Sequence, residues 1–162
     1  MTAMRDIEHR PVLHLLPGES HVARRPLFIR TILGSCIGAT FWSARLGVGA
    51  VCHSGRCVDL SIRELVRRFD ALGVGRGEIQ VKLFGGADVL PVSGMSSRPT
   101  VGARNCEAAL EVVEAEGLVV VTSSLGGISG RDVRFDTGSG EVLVRRVVGP
   151  LSRWSRHSAL PC

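Results

Sequence analysis

The chain has no tyrosine, and its aromatic residues come to only 4% of 162 positions. A core must then be built from Val, Leu, Ile and Ala, and a surface that stacks bases on aromatic rings is excluded. No stripe of basic residues interleaved with aromatics occurs either, which argues against nucleic-acid binding. Long apolar runs are also missing. The longest uncharged stretches, residues 31–44 and 117–130, are too short to cross a bilayer as a helix. The first ten residues are charged and lack the apolar centre of a signal peptide. A cytoplasmic location is therefore expected, and the five cysteines read as reduced thiols, not as a disulfide framework.

What remains is ordinary in bulk. Hydrophobic residues make up 44% and charged residues 22%, with a net charge of +5 carried mostly by scattered arginines. That balance suits a soluble protein and leaves room for an acidic partner. The length favours one domain with a proper core. The expected organisation is a flexible leader over residues 1–10, a single domain over 11–148 and an extension over 149–162. A monomer is the default.

The most informative stretch runs from Arg30 to His53. Three apolar runs, Leu27 to Leu33, Ile37 to Trp42 and Val48 to Cys52, are punctuated by Gly34, Gly38, Gly47 and Gly49. They read as three short strands of an antiparallel meander. In such a meander the start of the second strand lies beside the end of the third. Cys36 and His53 then face each other across 17 residues of chain. A thiol beside an imidazole is the arrangement that generates a sulfur nucleophile near neutral pH.

Two helices are expected. The first follows Ser61-Ile62-Arg63-Glu64, which has the form of a capping box, with Ile62, Leu65, Val66, Phe69 and Leu72 on one face and Gly73 as its stop. The second runs from Val101 to about Glu116, with Ala109, Leu110 and Val113 inward. Arg104 and Asn105 fall in its first turn, placed either to hold neighbouring loops by hydrogen bonds or to meet a substrate. Further strands are expected at Ile79 to Phe84, closed by Gly85-Gly86, and at Leu118 to Thr122, a β-branched run suited to burial on both faces. The double glycine reads as a tight positive-φ turn or as a site where backbone N–H groups approach a ligand. A hairpin surrounds Thr137-Gly138-Ser139-Gly140, and residues 88–100 form a loop rich in Pro, Ser and Gly.

Several stretches together resemble one family. Leu33-Gly34-Ser35-Cys36 followed by Gly47-Val48-Gly49-Ala50-Val51-Cys52-His53 is similar to the signature of the CheD chemoreceptor glutamine deamidases of bacterial chemotaxis. In the same order as in that family come Leu16-Pro17-Gly18-Glu19, Lys82 to Ala87, Val101 to Asn105, Leu125 to Arg131 and Thr137 to Val142. The match covers roughly residues 14 to 147, and so many motifs in one order are hard to attribute to chance.

The resemblance implies an α/β layered sandwich of mostly antiparallel strands with two main helices, similar in site design to the cytotoxic necrotizing factor toxins. It implies a protein-glutamine deamidase acting on methyl-accepting chemotaxis receptors, with Cys36 as nucleophile and His53 as general acid and base. No cofactor is implied. A CheC-type phosphatase is the second partner it suggests, and a non-catalytic adaptor binding receptors or that phosphatase is the competing function. A threonine shortly before the nucleophile orients the imidazole in the family. At that offset this chain has Arg30, with Thr31 one residue later. Strand alternation turns a residue displaced by one to the other face unless a bulge intervenes, so either Thr31 is restored by a bulge or another group orients His53. Thr31 is the candidate. The loop after His53 is also short here, Ser54-Gly55-Arg56-Cys57, which bears on substrate range.

Cys36, Cys52, His53 and Cys57 were weighed as metal ligands. Cys52 and His53 are adjacent on a strand, so their side chains leave opposite faces, and the spacing is not that of a zinc site. Cys52 and Cys106 read as core residues.

Overall fold

The computed structural model describes residues 9–90 and 97–147. Residues 1–8 of the expected leader (1–10), residues 91–96 of the expected 88–100 loop and the whole expected extension (149–162) lie outside the described residues.

Among the described residues nine strands form two sheets, packed with two α-helices and a short 3-10 turn at Arg76–Glu78. The strands are β1 (Val12–His14), β2 (Ser20–Ala23), β3 (Phe28–Leu33), β4 (Ile37–Ser43), β5 (Val48–Ser54), β6 (Gln80–Gly85), β7 (Val120–Leu125), β8 (Gly130–Asp136) and β9 (Val142–Val147). The helices are α1 (Val58–Ala71) and α2 (Val101–Ala115). One sheet has the order β2-β5-β4-β6-β7 and the other β1-β3-β8-β9. All pairings are antiparallel except β1 with β3 and β6 with β7. This is the layered α/β sandwich with two helices that the sequence implies.

The five-stranded sheet is the middle layer. Its strand β5 is buried at every position, and β4 at all but one. One face carries Ile37, Ala39, Phe41, Ala50 and Cys52 into a core with Ile62, Leu65, Phe69 and Val113 of the helices. Phe41 and Phe69 meet edge to face at 5.6 Å, and burying a phenyl ring contributes about 2 kcal/mol or more. The opposite face meets the four-stranded sheet through smaller clusters, Ile29 with Val51 and Phe135, and Leu33 with Phe84 and Val133.

Several expectations are corrected. The first three core strands are not one meander: β3 belongs to the four-stranded sheet, while β4 and β5 pair in the other. The Gly34-Ser35-Cys36 segment carries the chain between sheets. Helix α1 begins at Val58, not after Ser61, because Val58 is buried in the core and extends the apolar face by one turn. Cys57 is its N-cap and makes no side-chain cap bond. Ser61 instead donates to Ser54 Oγ at 3.0 Å, and Glu64 takes Arg67 and Arg68 as ion-pair partners.

In α2, Leu110 is 48% exposed and Val112 takes the inward place beside Ala109 and Val113. The run 118–122 is not covered on both faces. β7 is an edge strand with Val121 half exposed, because nothing among the described residues packs over it. Cys36, Cys52 and Cys106 are free thiols. No helix among the described residues is long and apolar enough to cross a membrane.

Candidate active site

The pairing of β4 with β5 sets Ile37 opposite Ser54 and Gly38 opposite His53. The start of the second core strand thus lies beside the end of the third, as expected. Residues paired in register share a face, and alternation carries that face back from Gly38 to Cys36. Cys36 and His53 therefore sit on the side of the sheet that looks toward the four-stranded layer. Cys36 packs there against the Leu33, Phe84 and Val133 cluster. Cys52 points the other way, into the helix-side core. That separation answers the metal alternative for the Cys52–His53 pair on geometric grounds.

Thr31 comes from the other sheet. Burial in β3 alternates, with Ile29, Thr31 and Leu33 inside and Arg30 half exposed. The β3–β8 register runs without a break from Phe28 to Leu33, so no bulge is involved. Arg30 faces outward, where its guanidinium donates to both carboxylate oxygens of Asp132 at 2.8 and 2.6 Å. The expectation that a one-residue displacement turns Thr31 away fails for a simple reason. β3 and β4 lie in different sheets, so the face of Thr31 is not fixed by counting from Cys36.

The Thr31 hydroxyl lies 2.8 Å from Leu15 O and 2.7 Å from His53 Nδ1. A hydroxyl has one proton. A carbonyl can only accept, so that proton goes to Leu15 O. His53 must then donate Nδ1–H to Thr31 Oγ1, which leaves the lone pair on Nε2. His53 is only 2% exposed. Its backbone is clamped by the turn after β1: His53 N–H donates to Glu19 O at 2.9 Å, and Gly18 N–H donates to His53 O at 2.7 Å.

Burial dominates the electrostatics. It pushes the His53 pKa from 6.5 down to about 4, against the opposing charge of Glu19. It also raises the Cys36 thiol. The resting pair is neutral thiol and neutral imidazole, with the imidazole already in the tautomer of a general base.

The segment around the sulfur is held by three bonds. Ala87 N–H donates to Gly34 O and Gly86 N–H donates to Cys36 O, both at 2.9 Å, while Asn105 Nδ2 donates to Ser35 O at 2.8 Å. Asn105 also donates to Gly55 O at 3.0 Å. Gly85 and Gly86 have φ of 105° and 65°. A Cβ on Gly85 would lie 2.0 Å from Cys36 O. The double glycine therefore serves as a positive-φ turn wrapped on the Cys36 carbonyl, and its Gly86 donor is spent there. A Cβ on Gly55 would lie 3.1 Å from the Cys36 sulfur, so the short loop after His53 passes close beside it and a side chain at this position would crowd the sulfur.

Sequence reasoning overlooked two contributors. The turn at Leu16 to Glu19 read only as a turn, yet it grips His53. Arg131, 6% exposed, donates to Gly85 O, Gly126 O and Ser124 Oγ, tying the double-glycine turn to the loop before β8. The signals for Arg131 were its place at the end of the Leu125–Arg131 stretch that resembles the family and a cation in a strand whose inward neighbours are apolar. Two surface cavities, of about 450 and 610 Å³, lie on the outer face of the four-stranded sheet and beside the end of α1; neither is lined by Cys36 or His53.

A family model for CheD chemotactic sensory transduction matches residues 47–146, a span that contains His53 and begins after Cys36. The chain is 40% identical over 147 residues to the "Probable chemoreceptor glutamine deamidase CheD 2" of Geobacter sulfurreducens, covering 85% of this chain and 91% of that protein. It is 35% identical to the "Probable chemoreceptor glutamine deamidase CheD" of Maridesulfovibrio salexigens, covering 80% of this chain and 88% of that protein. Among solved structures, the Bacillus licheniformis hypothetical protein YfiH aligns with a TM-score of 0.54 at 10% identity, over 75% of this chain and 67% of that one. That likeness concerns the fold alone.

Proposed function

The chain belongs to the CheD family, and we propose that it deamidates glutamine side chains of chemotaxis receptors through Cys36, with His53 as general acid and base and Thr31 as its orienting group. The observation that carries this reading is the buried Thr31–His53 bond, which leaves an Nε2 lone pair on a ring sharing a sheet face with Cys36.

The steps follow from the chemistry of an amide. His53 Nε2 takes the Cys36 proton as the sulfur attacks the side-chain carbonyl carbon, giving a tetrahedral oxyanion. Backbone N–H groups of the turn at Ser35 and Cys36 stabilise that oxygen; one such donor is typically worth about 3 kcal/mol of barrier. The proton passes from His53 to the amide nitrogen, the C–N bond breaks and ammonia leaves. Water, deprotonated by His53, then attacks the thioester, and glutamate and the Cys36 thiol are released. The receptor gains a negative charge and a carboxylate open to methylation.

The test is mass spectrometry of a receptor cytoplasmic fragment incubated with wild type and with Cys36→Ala. Conversion of particular glutamines to glutamates, a gain of about 1 Da each, by wild type alone supports the reading. A fragment that is bound by both proteins and converted by neither overturns it, and favours the adaptor that binds receptors or a CheC-type phosphatase.

A further inference from the structure

We infer that Asn105 is a positioning residue for amide hydrolysis, holding the Ser35–Cys36 peptide so that its N–H faces the oxyanion; this rests on the deamidase reading above. Asn105 lies in the first half of α2 and is 7% exposed. Its single side-chain nitrogen spans the two loops that carry the site, donating to Ser35 O and Gly55 O.

The carbonyl of Ser35 and the N–H of Cys36 belong to one peptide unit. No peptide bond among the described residues is cis, so these two groups point in opposite directions. Fixing the carbonyl on Asn105 aims the Cys36 N–H away from Asn105. The Gly34 carbonyl, held by Ala87 N–H, aims the Ser35 N–H in the same manner.

Neither the Ser35 nor the Cys36 N–H donates to any group among the described residues. Both residues are half-buried, so these two N–H groups stand side by side next to the Cys36 sulfur and are open to an oxygen brought there by a substrate. The double glycine offers no substitute, because Gly86 N–H is committed to Cys36 O. The substrate oxygen is the partner that accounts for the two open donors.

An asparagine suits this task better than its relatives. One –NH2 gives two donors from one atom, matching two carbonyls. Aspartate would set oxygens against both carbonyl oxygens, and alanine would leave both carbonyls short of a donor.

The test compares wild type, Asn105→Ala and Asn105→Gln in two reactions. One is deamidation of the receptor fragment. The other is alkylation of Cys36 by iodoacetamide, read by mass spectrometry of the Cys36 peptide. Alkylation is a displacement at a saturated carbon and forms no oxyanion, so it reports the nucleophile and His53 alone. The expected result for Asn105→Ala is a kcat lower by about tenfold to a hundredfold, with KM and the Cys36 alkylation rate each within about twofold of wild type. Asn105→Gln, which keeps the amide, regains part of kcat. Thermal unfolding of each variant identifies those that fold, and if the alanine variant does not, the glutamine variant carries the comparison. A folded variant with unchanged kcat overturns the inference. So does a parallel loss of alkylation and kcat, which would mark a general collapse of the loop. Failure of wild type to deamidate would strike the deamidase reading itself, and is seen separately in the wild-type arm.

Discussion

Burial of His53 makes a prediction about stability that needs no substrate. The imidazole has a pKa near 4 in the folded chain, against 6.5 ordinarily, because its charged form is desolvated. Between those values the unfolded chain binds a proton that the folded chain refuses. Stability from this group is therefore fully present above about pH 6.5, falls as the pH drops toward 4, and changes no further below. Integrating from pH 7.5 to pH 5 gives a loss of about 2 kcal/mol. The perturbation is His53→Gln, whose amide does not titrate. Urea unfolding of both proteins at the two pH values gives four free energies, and the quantity of interest is the difference between the two pH-dependent losses. Asp132 and Glu64, whose carboxyls are pulled down by hydrogen bonds from Arg30 and from Arg67 and Arg68, also weaken the fold in acid. They do so equally in both proteins and cancel. Wild type should lose about 2 kcal/mol more than the variant. Equal losses would refute the claim that His53 is buried in its neutral form.

Two further substitutions probe the frame around the nucleophile. Thr31→Val keeps the shape but removes the hydroxyl, leaving Leu15 O and His53 Nδ1–H unpaired; it should cost about 1–3 kcal/mol in urea unfolding and slow both deamidation and Cys36 alkylation by about tenfold or more, with Thr31→Ser restoring much of each. Gly85→Ala should cost more than about 2 kcal/mol in the same assay, since its Cβ would strike Cys36 O, whereas Gly73→Ala, at φ 72° with nothing within 4 Å, should cost about 1 kcal/mol.

The sequence made the site legible where local rules sufficed. Glycine punctuation and apolar runs located β3, β4 and β5 to within two residues, and antiparallel pairing alone brought Cys36 near His53. Asn105 was legible as a side chain placed to hold neighbouring loops by hydrogen bonds or to meet a substrate, and it does bond two loops. What local rules missed was which sheet each strand joins. The Gly34-Ser35-Cys36 turn looks like a hairpin connection, yet it crosses from one layer to the next. That crossing decides the face of Thr31, and counting residues from Cys36 cannot reveal it. The exposure of β7 was hidden for a related reason: a β-branched run shows that a strand forms, while its place at a sheet edge depends on the order of strands far away in sequence. The role of Arg131 was hidden because most of its partners are backbone carbonyls, which every residue carries.

The neutral resting pair has a chemical consequence. Burial raises Cys36 and lowers His53, so both shifts oppose a standing thiolate–imidazolium pair. Charge must separate during attack, when the proton reaches His53 and the negative charge arrives on the substrate oxygen. In the proposed reaction two sets of groups would meet those charges: Thr31 Oγ1, which accepts from the imidazole as it becomes cationic, and the N–H groups of Ser35 and Cys36, steered by Asn105, on the oxyanion side. Each group is set by a different sheet or helix. Thr31 comes from the four-stranded layer, the turn from the crossing between layers, and Asn105 from a helix packed on the far face. A sulfur that is poorly reactive until a carbonyl is seated beside it is protected from oxidation between turnovers. That protection has one physical cause, the desolvation that raises the Cys36 thiol and lowers the His53 imidazole.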